Sequence, residues 1–348
     1  MSLINTRLLE LRPQSNVDKY EIKGTRNGSL ALAESQTEDA MGVVSPELRS
    51  QVISAIGRDV KIPVIDYEAT TIANTSQPVV VVGDPSTSQL MTVTFTDYYF
   101  GFRIFPAAHE NNEISMQREF NQQMRRYEEK LMVELNALCL AAYEANKTQV
   151  LADTLGGRYA LTSDVIVAPL AEEGAAIGDI NPLMHGNDFY GPFDVIANPS
   201  MESFVRNKLL EQGQFNTADK TYQYNDKQFF FDNALANGAG HKATAIIVQK
   251  GSVGILEQFA PDCLLGHGSS DGHEWGVATL PLSGIRMGTY TYSGAIDGSG
   301  INGAASAHLT ATLVEAYGFH KRVAVVTPYN SDIATRPSAI AKMAIANA

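Results

Sequence analysis

The clearest pattern in the sequence is a stripe of apolar residues between residues 112 and 148. Apolar side chains recur there every three or four residues, with a mean step of about 3.7, which is the spacing along one face of an α-helix. Neither glycine nor proline occurs between Asn111 and Val150. The pattern predicts one nearly straight helix of about 35 residues, roughly 50 Å long, that lies across a sheet. The stripe consists of Met116, Phe120, Met124, Tyr127, Leu131, Leu135, Leu138 and Ala142.

The sequence before this helix changes from polar to strand-like. Residues 1–45 are polar and lack a clear period, which predicts a loosely folded N-terminal arm. A serine cap followed by proline and glutamate at residues 45–47 predicts a short helix within residues 46–59. Residues 60–106 carry β-branched runs and a stretch in which apolar residues alternate with threonine. We therefore expect an extended β-ribbon there, too exposed to be stable without a partner.

After the long helix the sequence mixes short apolar runs with helix signals. Residues 159–331 are expected to form a compact α/β region, and residues 332–348 a C-terminal tail. Short helices are expected at about Met201–Glu211 and at Ser252–Phe259. The expected strands lie at Asp164–Ala168, Phe193–Ala197, Ala243–Val248, Gly288–Ser293, Leu309–Ala316 and Arg322–Val326.

Charge and composition narrow the classes of function. The chain of 348 residues has a net charge of −12, which excludes a basic nucleic-acid reader. Residues 1–26 carry five basic against three acidic residues, a local net charge of +2. No signal-peptide pattern begins the sequence, and no apolar run reaches the ~20 residues that span a bilayer. Two distant cysteines suit a reducing compartment, so we expect a soluble chain made inside the cell, with no membrane partner.

Glycine-rich and nucleophile motifs give no catalytic site. Residues 298–303 read Gly-x-Gly-x-x-Gly, but a strand-like, threonine-rich run follows them, so we expect a surface loop rather than a dinucleotide site. Cys139 falls beside the apolar stripe and is expected to be an inert buried thiol, and Cys263 has no histidine nearby except His267. The adjacent pairs Glu128-Glu129 and Glu172-Glu173 point to different sides of a helix. We expect no catalytic residue and no cofactor.

Residues 267–274 contain the densest set of possible metal ligands. His267, Asp271, His273 and Glu274 lie there, but the spacing fits no standard zinc site and the glycines indicate a flexible loop. We expect no metal site, and Trp275 is expected to pack against the base of this loop. An α/β enzyme that uses the loop is the alternative from another class of function.

The order of these elements resembles the major capsid protein of tailed bacteriophages, with its Hong Kong-97-type fold. The resemblance covers Val60–Pro106 as the extended loop, Asn112–Thr148 as the spine helix and Tyr159–Ser331 as most of the axial domain. The segments Phe193–Phe204 and Glu315–Val326 resemble the strand-then-helix entry and the closing strand of that domain. The resemblance implies an α+β fold with an N-terminal arm, an extended β-ribbon, a spine helix in a peripheral domain and an α/β axial domain.

The resemblance also implies a division of the chain and a set of subunit contacts. The implied parts are an arm (1–45), a short helix (46–59), the extended loop (60–106), a peripheral domain (107–158, with part of the C-terminal strands), the axial domain (159–331) and a tail (332–348). The base of the ribbon suits a contact between subunits, although its aromatic residues equally fit the subunit's own core. The contact candidates are Met91, Val93, Phe95, Tyr98, Tyr99, Phe100, Phe102, Arg118, Arg125 and Arg126.

The implied function is structural: a virion protein that self-assembles through pentamers and hexamers into the icosahedral head shell, in the host cytoplasm. Its implied partners are further copies of itself, a portal, a separate scaffolding protein or none, and double-stranded DNA enclosed without sequence-specific binding. The expected loop tip, Gly83–Ser88, contains no lysine, so a covalent cross-link from that tip is not expected. The same fold occurs in bacterial nanocompartment shells, which is the alternative with a protein cargo.

Overall fold

A computed structural model gives the fold of most of the chain. No helix in the part that it describes is both long enough and apolar enough to cross a membrane. The described residues are 7, 27–38, 42–54, 59–65, 88–109, 112–211, 222–224, 227–260, 263, 268–270, 272–281, 283–296, 312–328 and 334–347.

The helices of this part differ greatly in length. Two short 3₁₀ turns, Pro106–His109 and Leu170–Glu172, accompany them. The α-helices are α1 (Gly28–Glu38), α2 (Pro46–Ser54), α3 (Glu113–Ala145), α4 (Ile180–Gly186) and α5 (Pro199–Glu211).

Helix α3 confirms the predicted long helix to within a few residues. The side chain of Asn112 caps its N-terminus by accepting hydrogen bonds from the backbone N–H groups of Ile114 and Ser115. The helix has 33 residues and is therefore about 50 Å long. Its buried side includes most of the predicted stripe, and Phe120 and Met124 are completely buried.

Helix α1 corrects the expectation of a loose arm over its residues. Leu32 and Ala33 are completely buried, and α1 packs against α3. Some of its polar residues are buried as well: Gln36 donates to Asp194 and accepts from the backbone N–H of Val253. Residues 28–38 are therefore part of the core, although their low content of apolar residues gives no periodic signal.

The strands form two large sheets and one two-stranded ribbon. The ribbon consists of β1 (Asp59–Ile65) and β2 (Ser88–Thr94). The six-stranded sheet contains β3 (Thr96–Ile104), β10 (Gly254–Gln258), β11 (Gly268–Ser270), β12 (His273–Thr279), β13 (Arg286–Ile296) and β14 (Thr312–Val326). The seven-stranded sheet contains β4 (Ala160–Thr162), β5 (Val165–Ala168), β6 (Phe193–Ala197), β7 (Tyr222–Tyr224), β8 (Lys227–Phe231), β9 (His241–Gln249) and β15 (Ile340–Ala346).

Strand β14 organises the six-stranded sheet. One of its edges pairs with β13 and then β10, while β3 pairs antiparallel with it from Thr96↔Val323 to Ile104↔Glu315. The predicted strands Leu309–Ala316 and Arg322–Val326 are therefore parts of one strand, within the residues described. At alternate positions of β3 and β14, aromatic side chains pack against α3, which lies across this face of the sheet as predicted.

Two segments have a different structure from the one expected. Ser252–Phe259 was expected to be helical, but it contains β10, because pairing with the edge of β14 satisfies its backbone groups. Residues 332–348 were expected to be a tail, but Ile340–Ala346 forms β15, which lies between β5 and β9. Its alanine-rich sequence gives no strand signal, and its side chains are buried by sheet neighbours that are distant in the sequence.

The seven-stranded sheet is covered on both faces. Ile166, Val195 and Ile247 are completely buried on the side of α4 and α5, whereas Ile196 and Ile340 contribute to the core beneath α1 and α3. The expected axial region 159–331 is thus shared between the sheets. Residues 160–249 build the seven-stranded sheet with β15, and residues 254–326 build the six-stranded sheet with β3.

Candidate assembly surfaces

The two-stranded ribbon is anchored at its base and exposed further out. Ile62 of β1 and Val93 of β2 are buried in a small core with α2, β10 and the end of β14. Pro63 pairs with Leu90 in the antiparallel register, and Leu90 is 63% exposed. Among the described strands, β1 and β2 pair only with each other, so neither outer edge of the ribbon is paired with another described strand. The apolar run 78–82 and the turn 83–87 lie outside the described residues.

Six of the predicted contact residues are built into the chain's own core or its margin. Val93 and Phe95 are buried and Met91 packs beside them, while Phe100 and Phe102 are each only 8% exposed. Phe100 stacks on Phe319 with ring centroids 4.7 Å apart, which supports the alternative that these aromatics belong to the subunit core. Tyr98 also packs at the edge of this core, and burial raises the pKa of its hydroxyl.

Tyr99 lies on the opposite face of β3 and is 72% exposed. Its ring lies over two glycines: a Cβ built on Gly101 would meet the Tyr99 hydroxyl at 2.9 Å, and one on Gly318 would meet the ring at 3.5 Å. The glycines thus leave space for a depression of about 350 Å³, which Tyr290 and Tyr292 also line. Tyrosine is enriched at protein contact surfaces, so an exposed Tyr99 is compatible with the predicted contact, which stays a prediction.

The predicted arginines lie on the outer surface of α3. Arg118 and Arg126 are exposed, and Arg125 lies 3.6 Å from Glu129, four residues further along the helix. Burial raises the pKa of Glu129, and Arg125 opposes this effect. Ile114, near the start of the same helix, is 82% exposed. The surface can contact another molecule, and the roles of the three arginines remain predictions.

An acidic socket around Arg7 is a feature that the sequence analysis missed. The guanidinium of Arg7 donates to both carboxylate oxygens of Glu315, at 2.9 and 3.2 Å, and to Glu113. It also donates to the side-chain oxygen of Gln117 (3.2 Å) and the hydroxyl of Tyr317 (3.4 Å). The hydroxyl of Tyr317 in turn donates to Glu315 at 2.7 Å. Only 3% of Arg7 is exposed, so this contact fixes a residue of the predicted arm against α3 and β14.

A buried carboxylate holds α1 in place and was also missed. Asp232 is completely buried and accepts hydrogen bonds from the backbone N–H and the hydroxyl of Ser29, at the N-terminus of α1. It also accepts from the side chain of Asn136 in α3, whose oxygen accepts from the backbone N–H of Leu30 at 3.0 Å. No sequence pattern could indicate this network, because its members lie up to 203 residues apart.

The candidate nucleophiles are shielded. Cys139 and Cys263 are free and buried, and burial raises the pKa of Cys139 to about 12. Glu128 is buried and accepts two hydrogen bonds from Ser283, whereas Glu129 lies nearer the surface. The two glutamates therefore do not face one another, as expected.

The candidate metal loop is partly a hairpin. Gly268 pairs with Trp275 across β11 and β12, and His273 packs on Tyr292 with ring centroids 4.5 Å apart. A Cβ built on Gly268 would lie 2.3 Å from the Trp275 ring, so the indole lies directly on the loop backbone. The described residues contain no group of three or more histidine, cysteine or acidic side chains that could hold a metal. His267 and the glycine motif 298–303 lie outside the described residues.

Comparisons with known proteins identify the fold. The sequence matches no protein-family model, and no curated protein matches it. The capsid asymmetric unit of cyanophage Pam1 is 11% identical, with a TM-score of 0.51 over 96% of each chain. The capsid of Ralstonia phage GP4 is 10% identical, with a TM-score of 0.48 over 96% of this chain and 97% of that chain. The encapsulin of Synechococcus elongatus PCC 7942 is 9% identical, with a TM-score of 0.40 over 99% and 95%. The similarity to the Pam1 capsid subunit shows that this chain is an α+β protein with the fold of a phage capsid subunit.

Proposed function

We propose that this protein is the subunit of a self-assembling shell, the head shell of a tailed bacteriophage that encloses double-stranded DNA. The observation that carries the proposal is the fold shared with the Pam1 capsid subunit over 96% of both chains. The proposed role is structural rather than enzymatic, and the shielded thiols agree with it.

The ribbon supplies a physical reason for assembly. A two-stranded ribbon that pairs with no other described strand and exposes a leucine is marginal in water by itself. Contact with a second copy would bury this surface. The net charge of −12 also fits a container for DNA, because a lining that repels phosphates leaves the packed DNA free to move.

The finer assignments belong to the same proposal. We propose a Hong Kong-97-type arrangement in which α3 and the six-stranded sheet form the peripheral part and the seven-stranded sheet forms the axial part. Pentamers and hexamers of this subunit would then build the shell in the host cytoplasm, with a portal and, where one is needed, a separate scaffolding protein. Tyr99, Arg118, Arg125 and Arg126 remain contact candidates.

Negative-stain electron microscopy and light scattering of the purified chain test the proposal. Closed shells, or rings of five and six subunits, are the expected result. A monomer or dimer that never assembles, even with crowding agents, would contradict it. Nuclease treatment and analysis of the contents of particles isolated from the native source then separate a DNA container from a nanocompartment that holds a protein cargo.

A further inference from the structure

Three side chains near the start of α3 form a chain of hydrogen bonds from a serine through a histidine to a carboxylate. The hydroxyl of Ser115 lies 2.7 Å from Nδ1 of His109, and Nε2 of His109 contacts a carboxylate oxygen of Glu119. A serine bonded to a histidine that a third group orients is the arrangement that makes a serine hydroxyl nucleophilic. Such triads transfer acyl groups on unrelated folds.

The partner of each ring nitrogen sets where His109 carries its proton. An ionised carboxylate can only accept hydrogen bonds, so the Nε2 atom that contacts Glu119 carries the ring proton. In the neutral ring, Nδ1 then has a free lone pair, and the hydroxyl of Ser115 donates to it. His109 is therefore oriented as a base toward Ser115.

The helix and the turn before it hold these groups in place. Ser115 and Glu119 are four residues apart on α3, so they are neighbours on one side of the helix. His109 ends the 3₁₀ turn Pro106–His109, and its backbone carbonyl accepts from the backbone N–H of Asn112, the cap residue of α3. The side chain of His109 is only 16% exposed, whereas Ser115 is half-buried. The base is thus held between two partners, and part of the serine remains open to solvent.

We propose that Ser115 is a reactive nucleophile that takes an acyl group from an activated carboxylic ester, with His109 as general base and Glu119 as the residue that positions the base. Oγ of Ser115 attacks the carbonyl carbon while its proton passes to Nδ1 of His109. The tetrahedral intermediate then collapses: the bond to the leaving oxygen breaks, the leaving group departs with that electron pair, and the acyl group remains on Ser115 as an ester. The proton on Nδ1 passes to the leaving group or to water. This reactivity is additional to the shell function and does not require assembly.

Acetylation by p-nitrophenyl acetate tests the proposal on the unchanged full chain. After a brief exposure and removal of the excess ester, digestion and mass spectrometry locate the acetyl groups. Ser203 is the internal control, because it is an exposed helical serine whose hydroxyl donates to the backbone carbonyl of Ser200. A positioned base accelerates such a step by about 10²–10⁴, so we expect Ser115 to be acetylated at least about 100-fold faster than Ser203. Equal rates at the two serines would overturn the proposal.

Variants of the other two residues separate their roles. His109→Gln can still hydrogen-bond to Ser115 but has no basic nitrogen, so we expect acetylation of Ser115 to fall to the rate of Ser203. In Glu119→Gln the new amide can donate to Nε2, which favours the ring form with the proton on Nδ1, and we expect at least about a tenfold loss of rate. Glu119→Asp keeps the carboxylate and is expected to retain more of the rate than Glu119→Gln.

Each outcome supports or overturns one part of the inference. Undiminished acetylation of Ser115 in His109→Gln would refute the role of the base, and an equal loss in both Glu119 variants would refute the positioning role of the carboxylate. Circular dichroism verifies that each variant is folded, and the comparison of Ser115 with Ser203 in the unchanged chain needs no variant. Acetylation is measured whether or not the chain assembles, so this inference and the proposed function fail separately.

Discussion

The buried carboxylate of Asp232 provides a sharp test of how α1 is held. In Asp232→Asn the shape is kept, but one oxygen becomes an amide that can only donate. The less costly orientation keeps the oxygen that faces Ser29 and turns the new amide toward the backbone N–H of Ala234, now 2.8 Å from the Oδ1 position, and toward the Asn136 amide at 3.2 Å. At least two hydrogen bonds are then replaced by donors that face donors.

The expected loss follows from these contacts. Each hydrogen bond to a buried charged group contributes about 1.5–3 kcal/mol, so losing two of them costs about 3–6 kcal/mol. Part of this loss of stability arises because the substitution removes a negative charge from the N-terminus of α1, where the helix dipole favours it. We therefore expect Asp232→Asn to lower the free energy of unfolding of the unassembled chain by about 3–6 kcal/mol.

Urea denaturation followed by circular dichroism measures the global change, and hydrogen exchange of the amides in Gly28–Glu38 measures the local one. The matched control is Asp188→Asn, which makes the same chemical change at an exposed position. The φ of Asp188 is 66°, in the left-handed region that asparagine also adopts readily, so a change within about 0.5 kcal/mol is expected. An Asp232→Asn chain as stable as this control, with unchanged exchange in α1, would refute the role given to the carboxylate.

Three further predictions use other buried groups. Cys139 is expected to stay unreactive toward a thiol reagent at pH 8 in the native chain and to react fully in urea, because burial raises its pKa to about 12. Burial acts to raise the pKa of Glu144, but hydrogen bonds from lysines, including Lys342, lower it below 4.5. Glu144 therefore contributes stability that is present above its unfolded pKa and lost as the pH falls through the folded pKa. When the pH is lowered below about 4.5, we expect the Glu144→Gln variant to lose less stability than the unchanged chain does, because the variant no longer has this carboxylate to protonate. Finally, Gly268→Ala is expected to displace the indole of Trp275 and shift its fluorescence, since the added Cβ would meet the ring at 2.3 Å.

The two substitutions each have a matched control variant. Glu134→Gln changes an exposed glutamate of the same helix, and we expect its stability to fall at acid pH as much as that of the unchanged chain. Gly174→Ala adds a Cβ with nothing within 4 Å, so the fluorescence of the chain's single tryptophan is expected to stay the same. Rapid reaction of Cys139 in the native chain would contradict its burial. An equal loss of stability at acid pH in the two glutamate variants would contradict the role given to Glu144. An unshifted fluorescence spectrum of Gly268→Ala would contradict the packing of Trp275 on residue 268.

The sequence allowed prediction of those elements whose pattern is local. Helix α3 was predicted almost to its ends because its buried stripe repeats at the helical period without interruption. Helix α2 was identified by its serine cap, and indeed the Ser45 hydroxyl accepts from the backbone N–H of Leu48. These signals depend on neighbours within four residues, so no tertiary information was needed.

The elements that were missed owe their structure to distant partners. Helix α1 buries Ser29 and Gln36, which are acceptable in a core only because Asp232 and Asp194 accept their hydrogen bonds. Strand β15 has an alanine-rich sequence without alternation, and its place is set by β5 and β9. Among the contact candidates, Phe100 and Tyr99 are adjacent in the sequence but lie on opposite faces of β3. Residue type alone could not separate the core residue from the exposed one.

The central positions of β14 and β15 have a consequence for biosynthesis. Each strand lies inside its sheet, β14 between β3 and the β13–β10 edge and β15 between β5 and β9, yet both are translated after every other described strand. Neither sheet can close until its late strand has been synthesised, because pairings such as Thr96 with Val323 join residues more than 200 positions apart. A polypeptide interrupted before residue 312 would leave β3 without its pairing strand. Both sheets therefore require synthesis of the chain through residue 346, which would keep chains truncated before these strands out of any assembly that requires the sheets.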